Sequence, residues 1–511
     1  MKQLILFLLL CITQLSIAQN FDSYLINKQV KNFLYTNDFS TPLNAFTSIQ
    51  YLWANGKYQK AYEKSSIRIR QRDPKGVSDK EVTSERKKML LDSYIEKVIT
   101  YCDSVAAVIT LSPDSIYRYY FMNLEQNVWV NGGSDRSESI DMAENRIHNL
   151  LPIRLDMLRR INRIIETPTD TTSFTAYLKE NGKDPKRFLL EVLKTHRLVI
   201  YGERHREKLS WELLSDLIKD TDFRKCTGTV FMELPSYKQN DIDRFFTNTN
   251  YMDSSILVSI YQDCMPFGWY DKGGFEFLKT LWELNSKLTN DQRINVIFVD
   301  YQEPLRKIKT NEEFLLYREK APKRDTYMAS LITKTIQNSP KKRHNLFIVG
   351  FDHAHKSSAI ETYLGGVNSA AHQLVNQFTD KDVYCTRVHT SGIMGYTRGG
   401  MFDIAFAKNG GSPTAFELKD SPFGMEIYEN KAFETDNFGS YENNFDGYIY
   451  LGGEPIDKHP EYRLTEIYTE DFVQEIKRRA HLLKMDEVEW FNVPNKSLTL
   501  DDVLENLNED Q

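Results

Sequence analysis

Between residues 197 and 352 the chain repeats one pattern. A short, nearly unbroken run of β-branched and apolar residues is followed by a longer stretch with apolar residues at helical spacing. The runs are RLVIYGE (197–203), GTVFMEL (228–234), INVIFVD (294–300) and NLFIVGFD (345–352). Between them lie KLSWELLSDLIKD, GGFEFLKTLWELNSKL and RDTYMASLITKTIQ. A strand with one wet face alternates apolar and polar residues, and these do not, so each is expected to be buried on both faces. Strands of that kind joined through helices make a mostly parallel sheet covered on both sides. The expected class is therefore α/β. DVYCTRVHT (382–390), MFDIAFA (401–407) and DGYIYLG (446–452) are predicted as further strands. These last are joined by loops, so antiparallel pairing is open to them.

Upstream the pattern is different, and residues 19–170 are predicted to form a helical N-terminal region. PLNAFTSIQYLWANGKYQKAYEKSS reads as a helix–turn–helix broken at Asn55-Gly56. Gly56, Tyr58 and Ala61 give it the look of one tetratricopeptide unit, but no second copy follows at the expected period, so it is not a repeat array. RKKMLLDSYIEKVITYCDSVAAVI and DMAENRIHNLLPIRLDMLRRINRIIE read as further amphipathic helices. TPTDTT at 167–172 is a turn or linker. The α/β core with the candidate site is placed at 171–456. Within it, 408–445 is a long irregular connection, read as a functional loop or lid. Residues 457–511 are assigned a terminal helix, EDFVQEIKRRAHLLKMDEVEWF, and a frayed acidic tail.

The first eighteen residues combine Lys2, an apolar run from Leu4 to Cys11, and small residues before Gln19, the pattern of a secretory signal peptide cleaved after Ala18. The expectation is an exported protein, periplasmic or extracellular, with no transmembrane segment after signal removal. Four cysteines then remain, Cys102, Cys226, Cys264 and Cys385, with no C-x-x-C pair, which argues against a thiolate zinc site. Export permits disulfides, in three connectivities; the alternative is that some are small buried hydrophobes. Cys264 has no histidine near it in sequence to activate it. The net charge of −6 argues against a nucleic-acid surface, which needs clustered cations.

In open parallel sheets, ligands bind beyond the carboxyl ends of the strands. There the chain places Glu203 and His205, then Glu233, then Asp300, Tyr301 and Glu303, then Asp352, His353 and His355. The chain has ten histidines, and three of them fall at two of these ends. Glu203 and His205 are two apart, so on extended backbone they point the same way. A carboxylate beside an imidazole fixes its tautomer and raises its basicity, as a general base requires. His353 and His355 have the same parity, and either is placed to stabilise an oxyanion. The same set of groups also suits a divalent metal. Any one of these positions alone reads as an ordinary solvated or hydrogen-bonded residue; their coincidence at strand ends singles them out. Arg324-Asp325 opens a helix, either as an anion partner with Arg324 or as a helix-dipole pair.

In order, YGERHRE, FMELPSYKQNDIDRFF, LWELN, RDTYMASLI and FIVGFDHAHK resemble the superfamily that groups erythromycin esterases, ChaN-like haem-binding proteins and the TIKI/TraB proteases. Gly202, Glu203 and His205 match its first motif, with one residue fewer between Glu and His than the esterase form. Glu233 matches the second, and Arg324, Asp325, Met328 and Ala329 match the third. The last motif departs from the esterase pattern. Asp352 stands where the first His would be if His355 is the second, whereas Gly350-x-x-His353 matches the other branches. The resemblance covers about residues 195–410 and leaves out the N-terminal region.

The esterase branch implies hydrolysis of an ester or lactone in a small-molecule substrate. His205 would activate water, Glu203 and Glu233 would orient it, and Arg324 with His353 or His355 would stabilise the developing charge. The protease branch implies a metal-dependent peptidase with the same residues as ligands. The ChaN-like branch implies haem or iron binding without catalysis, through a tyrosine that maps to no single position here. A divalent metal and haem thus both remain open as cofactors, and fold alone does not choose.

Overall fold

The structure is a computed structural model. It describes residues 21–66, 69–70, 77–137, 139–166, 170–264, 266–339, 343–357, 368–379, 381–389, 401–426, 428, 439–452, 463–485, 487–488, 493–494 and 498–508. The signal-peptide reading lies outside these residues. Among the described residues no helix is long and apolar enough to cross a membrane. The chain divides into two compact units, one built chiefly on the residues up to Thr169 and one on those from Asp170 onward.

The first unit corrects the all-helical expectation. It is a five-stranded antiparallel sheet in the order β1 (Phe21–Gln29), β2 (Tyr94–Tyr101), β3 (Val105–Leu111), β4 (Tyr117–Glu125) and β5 (Val128–Ser137). The helix–turn–helix is present, as α1 (Pro42–Ala54) and a short helix at Tyr58–Glu63, but the stretch read as one helix from Arg86 is a helix, α2 (Ser84–Asp92), followed by β2 and β3. α1 packs Phe46 and Ile49 against Val98, Val108 and Met122 on one face of the sheet. α3 (Ile140–Glu166) packs Ala143, Ile147, Leu151 and Leu155 against Ala107, Ile109 and Phe121 on the other. With both faces covered, β3 reads VAAVITL, a continuous apolar run that periodicity does not separate from a buried helix.

The second unit holds a seven-stranded sheet. Its strands are β6 (Leu198–Glu203), β7 (Thr227–Pro235), β8 (Asn295–Asp300), β9 (His344–Gly350), β10 (Val383–His389), β11 (Thr414–Glu417) and β12 (Gly447–Tyr450). Their order is β11-β12-β10-β6-β9-β7-β8, and every pairing is parallel except β11 with β12. On one face, α4 (Pro185–Thr195), α5 (Lys208–Lys219) and α6 (Lys272–Asn285) bury Phe188, Leu214 and Leu278 in the same core as Val199, Val230 and Leu346. α7 (Arg324–Asn338) packs beside β8 and against α8 (Ala370–Phe378).

Three local expectations change. MFDIAFA is not a strand but α9 (Met401–Lys408), whose buried Phe402, Ala405 and Phe406 follow i, i+3, i+4 spacing. The irregular connection contains β11 and two short helices, at Pro422–Met425 and Tyr441–Asn444; residues 427 and 429–438 lie outside the described residues. The end carries a helix, Leu500–Asn508, whose Val503 and Leu507 are buried in the main core rather than frayed. Among the described residues, Cys102, Cys226, Cys264 and Cys385 form no disulfide with one another.

Candidate functional site

The order β6-β9-β7-β8 sets four strand ends side by side. Glu203 pairs in register with Gly350, and Asp300 with Pro235. The register of β7 slips between Met232 and Pro235, the break that contains Glu233. Such irregularities re-aim a side chain at the end of a strand. One carboxylate, Glu233, then becomes the centre of the cluster.

Glu233 Oε1 accepts from Arg324 Nη2 at 2.6 Å and lies 3.4 Å from His353 Nε2. Its Oε2 accepts from the Gly350 backbone N–H at 2.7 Å and lies 3.9 Å from His205 Nε2. The two imidazoles therefore face opposite oxygens of one carboxylate. His205 Nδ1 donates to Glu203 Oε1 at 2.7 Å, and His353 Nδ1 donates to Asp325 Oδ1 at 2.8 Å. Each ring is thus held by its own acid and turned toward Glu233. Arg324 is gripped by Asp300, with Nε to Oδ1 at 2.5 Å and Nη2 to Oδ2 at 2.8 Å, the paired geometry that makes arginine–carboxylate contacts specific. Arg324 Nη1 also comes within 3.4 Å of His353 Nε2. Two cationic donors meet there, and Glu233 is the acceptor they share.

Exposure divides the cluster. The side chains of His205 and Arg324 keep 42% and 41% of their surface open, whereas Glu203, Glu233, Asp300, Asp325 and His353 keep 7% or less. An imidazole and a guanidinium thus form the face that meets solvent, backed by buried acids and a second imidazole. Trp269 stands edge-on to His205 with ring centroids 5.4 Å apart. Arg206, the next residue, has a left-handed backbone at φ 65°, a conformation that non-glycine residues adopt when the surroundings enforce it. Its guanidinium lies 4.7 Å from the Tyr270 ring centroid and donates to that hydroxyl.

The charges follow from these contacts. Partial desolvation opposes protonation of His205, which keeps one face open to solvent, but the carboxylates of Glu203 and Glu233 outweigh it and raise its pKa to about 9. Burial likewise opposes charge on His353, and Asp325 and Glu233 raise it to about 10. Burial alone would raise the Glu233 carboxyl, yet Arg324, His353 and His205 hold it well below the usual range. At neutral pH the free site therefore carries two imidazolium rings and an ionised Glu233.

His355 is not brought into this cluster. It is fully buried, with Nδ1 3.3 Å from Asn444 Oδ1, and its ring lies 5.0 Å from those of both Tyr428 and Phe445. Burial pushes it down to about 3, so it stays neutral. The choice between the two histidines of FDHAHK falls on His353, whose 3-10 turn (Phe351–His353) follows directly on β9.

The donor set does not fit a resident metal. Both nitrogens of His353 and Nδ1 of His205 face carboxylates, and Arg324 already pairs with both Glu233 and Asp300. Among the described residues no group of three or more His, Cys, Asp or Glu side chains is arranged to hold an ion. The Tyr270 hydroxyl accepts from Arg206, and the Tyr327 hydroxyl shares a hydrogen bond with Ser236 at 2.9 Å.

No protein-family model matches the chain, and no curated protein matches it. Among solved structures, a protein from Bacillus cereus is similar at 12% identity with a TM-score of 0.39, over 55% of this chain and 97% of that one. A succinoglycan biosynthesis protein is similar at 8% identity and TM-score 0.38, again over 55% of this chain and 97% of its own. ChaN of Campylobacter jejuni, a structure described by its cofacial heme binding, is similar at 15% identity and TM-score 0.27, over 40% of this chain and 86% of its own. At these distances, function has to be read from the side chains themselves.

The supporting roles of Asp325 and Gly350 are visible only in three dimensions. Asp325, a helix-dipole partner by sequence position, is fully buried and takes both His353 Nδ1 and the Ala370 N–H on one oxygen. Gly350 is where the His205 ring passes over β9, and a Cβ there would lie 2.9 Å from both Cε1 and Nε2. Only glycine permits that approach. Gly202 is similarly confined, since its Cβ would meet Thr386 O at 2.7 Å and Ala354 Cβ at 2.8 Å.

Proposed function

We propose that the second unit is a hydrolase acting on an ester or lactone bond in a small-molecule substrate, and that the chain is exported with its signal peptide removed after Ala18. The observation that carries the reaction is the division of exposure: the solvent-facing members of an otherwise buried acid–base network are His205 and Arg324, on either side of Glu233.

In this reading His205 acts in its neutral form. Glu203 fixes Nδ1 as the protonated nitrogen and leaves Nε2 to take a proton from water as the oxygen attacks the carbonyl carbon. The carbonyl electrons move onto oxygen, where Arg324, backed by the charge of His353, stabilises them. Collapse of the tetrahedral adduct breaks the bond to the leaving alcohol, which takes the proton back from Nε2. Glu233 keeps the imidazole and the guanidinium apart at a fixed spacing, and Asp300 holds Arg324 in place.

The test is hydrolysis of a panel of aryl esters, alkyl esters and lactones by protein starting at Gln19, beside His205→Ala and Arg324→Ala. Each variant is expected to lose about 10²–10⁴-fold in kcat/KM while folding normally. Hydrolysis that survives in both variants, or is absent across the panel, overturns the reading.

A further inference from the structure

Two nitrogens of the cluster keep capacity for a ligand. His205 Nδ1 is engaged by Glu203, but Nε2 has no partner within hydrogen-bond reach among the described residues, since Glu233 Oε2 lies 3.9 Å away. Arg324 directs Nε and Nη2 to Asp300 and Glu233. Its Nη1 carries two hydrogens and has one polar contact among the described residues, His353 Nε2 at 3.4 Å, so at least one hydrogen is open to a ligand. Both nitrogens belong to the side chains that meet solvent.

The acids behind them are already matched. Glu203 accepts from His205, Asp300 from Arg324, Asp325 from His353, and Glu233 from Arg324 and the Gly350 N–H. Despite desolvation, Glu203 and Glu233, 2.7 and 3.9 Å from its two nitrogens, keep the His205 ring protonated at neutral pH, so Nε2 donates. Solvent therefore meets two cationic donors. Glu233 spans them from the buried side, and a ligand carboxylate, being the same size, spans them from the open side.

What surrounds the donors is aromatic. Trp269 stands edge-on to His205. Beside Arg324, Tyr327 lies three residues further along α7, on the same helical face, and Tyr301 directly follows the Asp300 clamp. The Tyr301 and Tyr327 rings meet edge to face with centroids 5.6 Å apart. All three rings are partly exposed. Partly open aromatic walls around a few fixed polar groups are the composition of a small-molecule site.

We propose that His205 Nε2 and Arg324 Nη1 together bind the carboxylate of an aromatic acid, whose ring packs against the neighbouring aromatic side chains. One consequence rests on the hydrolase reading. Water adding across the ester of such an acid releases an alcohol and the acid, which loses its proton, and the carboxylate then stays on the two donors and blocks the next turnover until it leaves. A neutral ester makes no such charge contacts, so the product holds the site more tightly than the substrate.

The experiment is a titration of protein starting at Gln19, at pH 7 and constant ionic strength, with sodium benzoate, sodium acetate and benzamide. It is read from the His205 ring signals by NMR, assigned with His205→Gln. Benzoate is expected to give a saturable shift. Acetate, which lacks the ring, and benzamide, which lacks the charge, should each bind about tenfold more weakly or worse. Arg324→Gln should weaken benzoate by about tenfold or more. If that variant does not fold, the comparison of the three ligands on wild type decides alone. No saturable shift from benzoate, or equal binding of benzamide or acetate, overturns the proposal. No turnover is needed for the readout. Benzoate that binds while the ester panel stays uncleaved removes the hydrolase reading and keeps the site, whereas esters cleaved without inhibition by benzoate remove the site and keep the reading.

Discussion

The backbone N–H of Gly350 and Oε2 of Glu233 meet at 2.7 Å, and that same oxygen lies 3.9 Å from Nε2 of His205. One residue thus anchors the central carboxylate with its N–H and makes room for the imidazole by lacking a side chain. Gly350→Ala puts a methyl 2.9 Å from the ring. The ring must then swing away from Glu233, while the backbone, which is not left-handed here, tolerates alanine. The expected result is a loss of about 10²-fold or more in kcat/KM, the scale of misplacing a catalytic group by an ångström, with a smaller stability cost of about 1–3 kcal/mol. Activity within twofold of wild type would show that the ring does not have to sit where it does.

The pH profile follows from the same contacts. His205 is raised to about 9, so its neutral, proton-accepting form is scarce at pH 7. For the proposed hydrolysis, kcat/KM is expected to rise with pH, about tenfold per unit, and to level near pH 9. Glu203→Gln removes the nearer of the two charges that hold the imidazole up. The rising limb should move to lower pH and the plateau should fall, since the base is weaker and its tautomer less firmly held. A limb that stays put in Glu203→Gln would assign the titration to another group.

His353 gives a stability prediction. Its pKa is about 10 in the folded chain and about 6.5 unfolded, so the folded state binds more protons in between. Its contribution is fully present below about pH 6.5 and is lost as pH rises through 10. His353→Gln keeps a donor for Asp325 but does not titrate. The difference in unfolding free energy between wild type and this variant should therefore shrink from pH 6 to pH 10, as measured by urea denaturation at several pH values. A difference constant over that range would show that His353 is not charged in the fold.

Sequence patterning placed the strand-end residues better than it read the first unit, for a physical reason. Strands buried on both faces and interleaved with helices leave long apolar runs, so β6, β7, β8 and β9 and the polar residues at their ends could be read directly. What could not be read was which groups turn inward. Asp325 sits at a helix start, where acids are ordinary, and only packing reveals that it is buried against the His353 imidazole. His353 and His355 share a parity, yet a 3-10 turn after β9 sends one to Glu233 and the other among Tyr428 and Phe445. The antiparallel sheet was hidden differently. Its β2–β3 and β4–β5 hairpins turn on Cys102-Asp103 and Gln126-Asn127, without the glycine that usually marks such turns.

Those turns yield a last prediction. Cys102 and Asp103 have φ of 50° and 51°, and Gln126 and Asn127 have φ of 51° and 63°, so both central residues of each turn are left-handed, as the twist of a tight hairpin requires. Asparagine tolerates that region; aspartate does so less readily, and cysteine and glutamine pay more of the steric cost. Asp103→Gly removes the strain at a position that β2 and β3 force on the chain. It should stabilise the protein by about 0.5–1 kcal/mol, and Gln126→Asn should do the same at the β4–β5 turn. Among the described residues no hydrogen bond or ion pair joins Asp103 to Gln126, and the double variant is expected to show the sum. Urea denaturation of the single and double variants measures this directly. Destabilisation by Asp103→Gly would mean that the aspartate makes a contact worth more than the strain it carries.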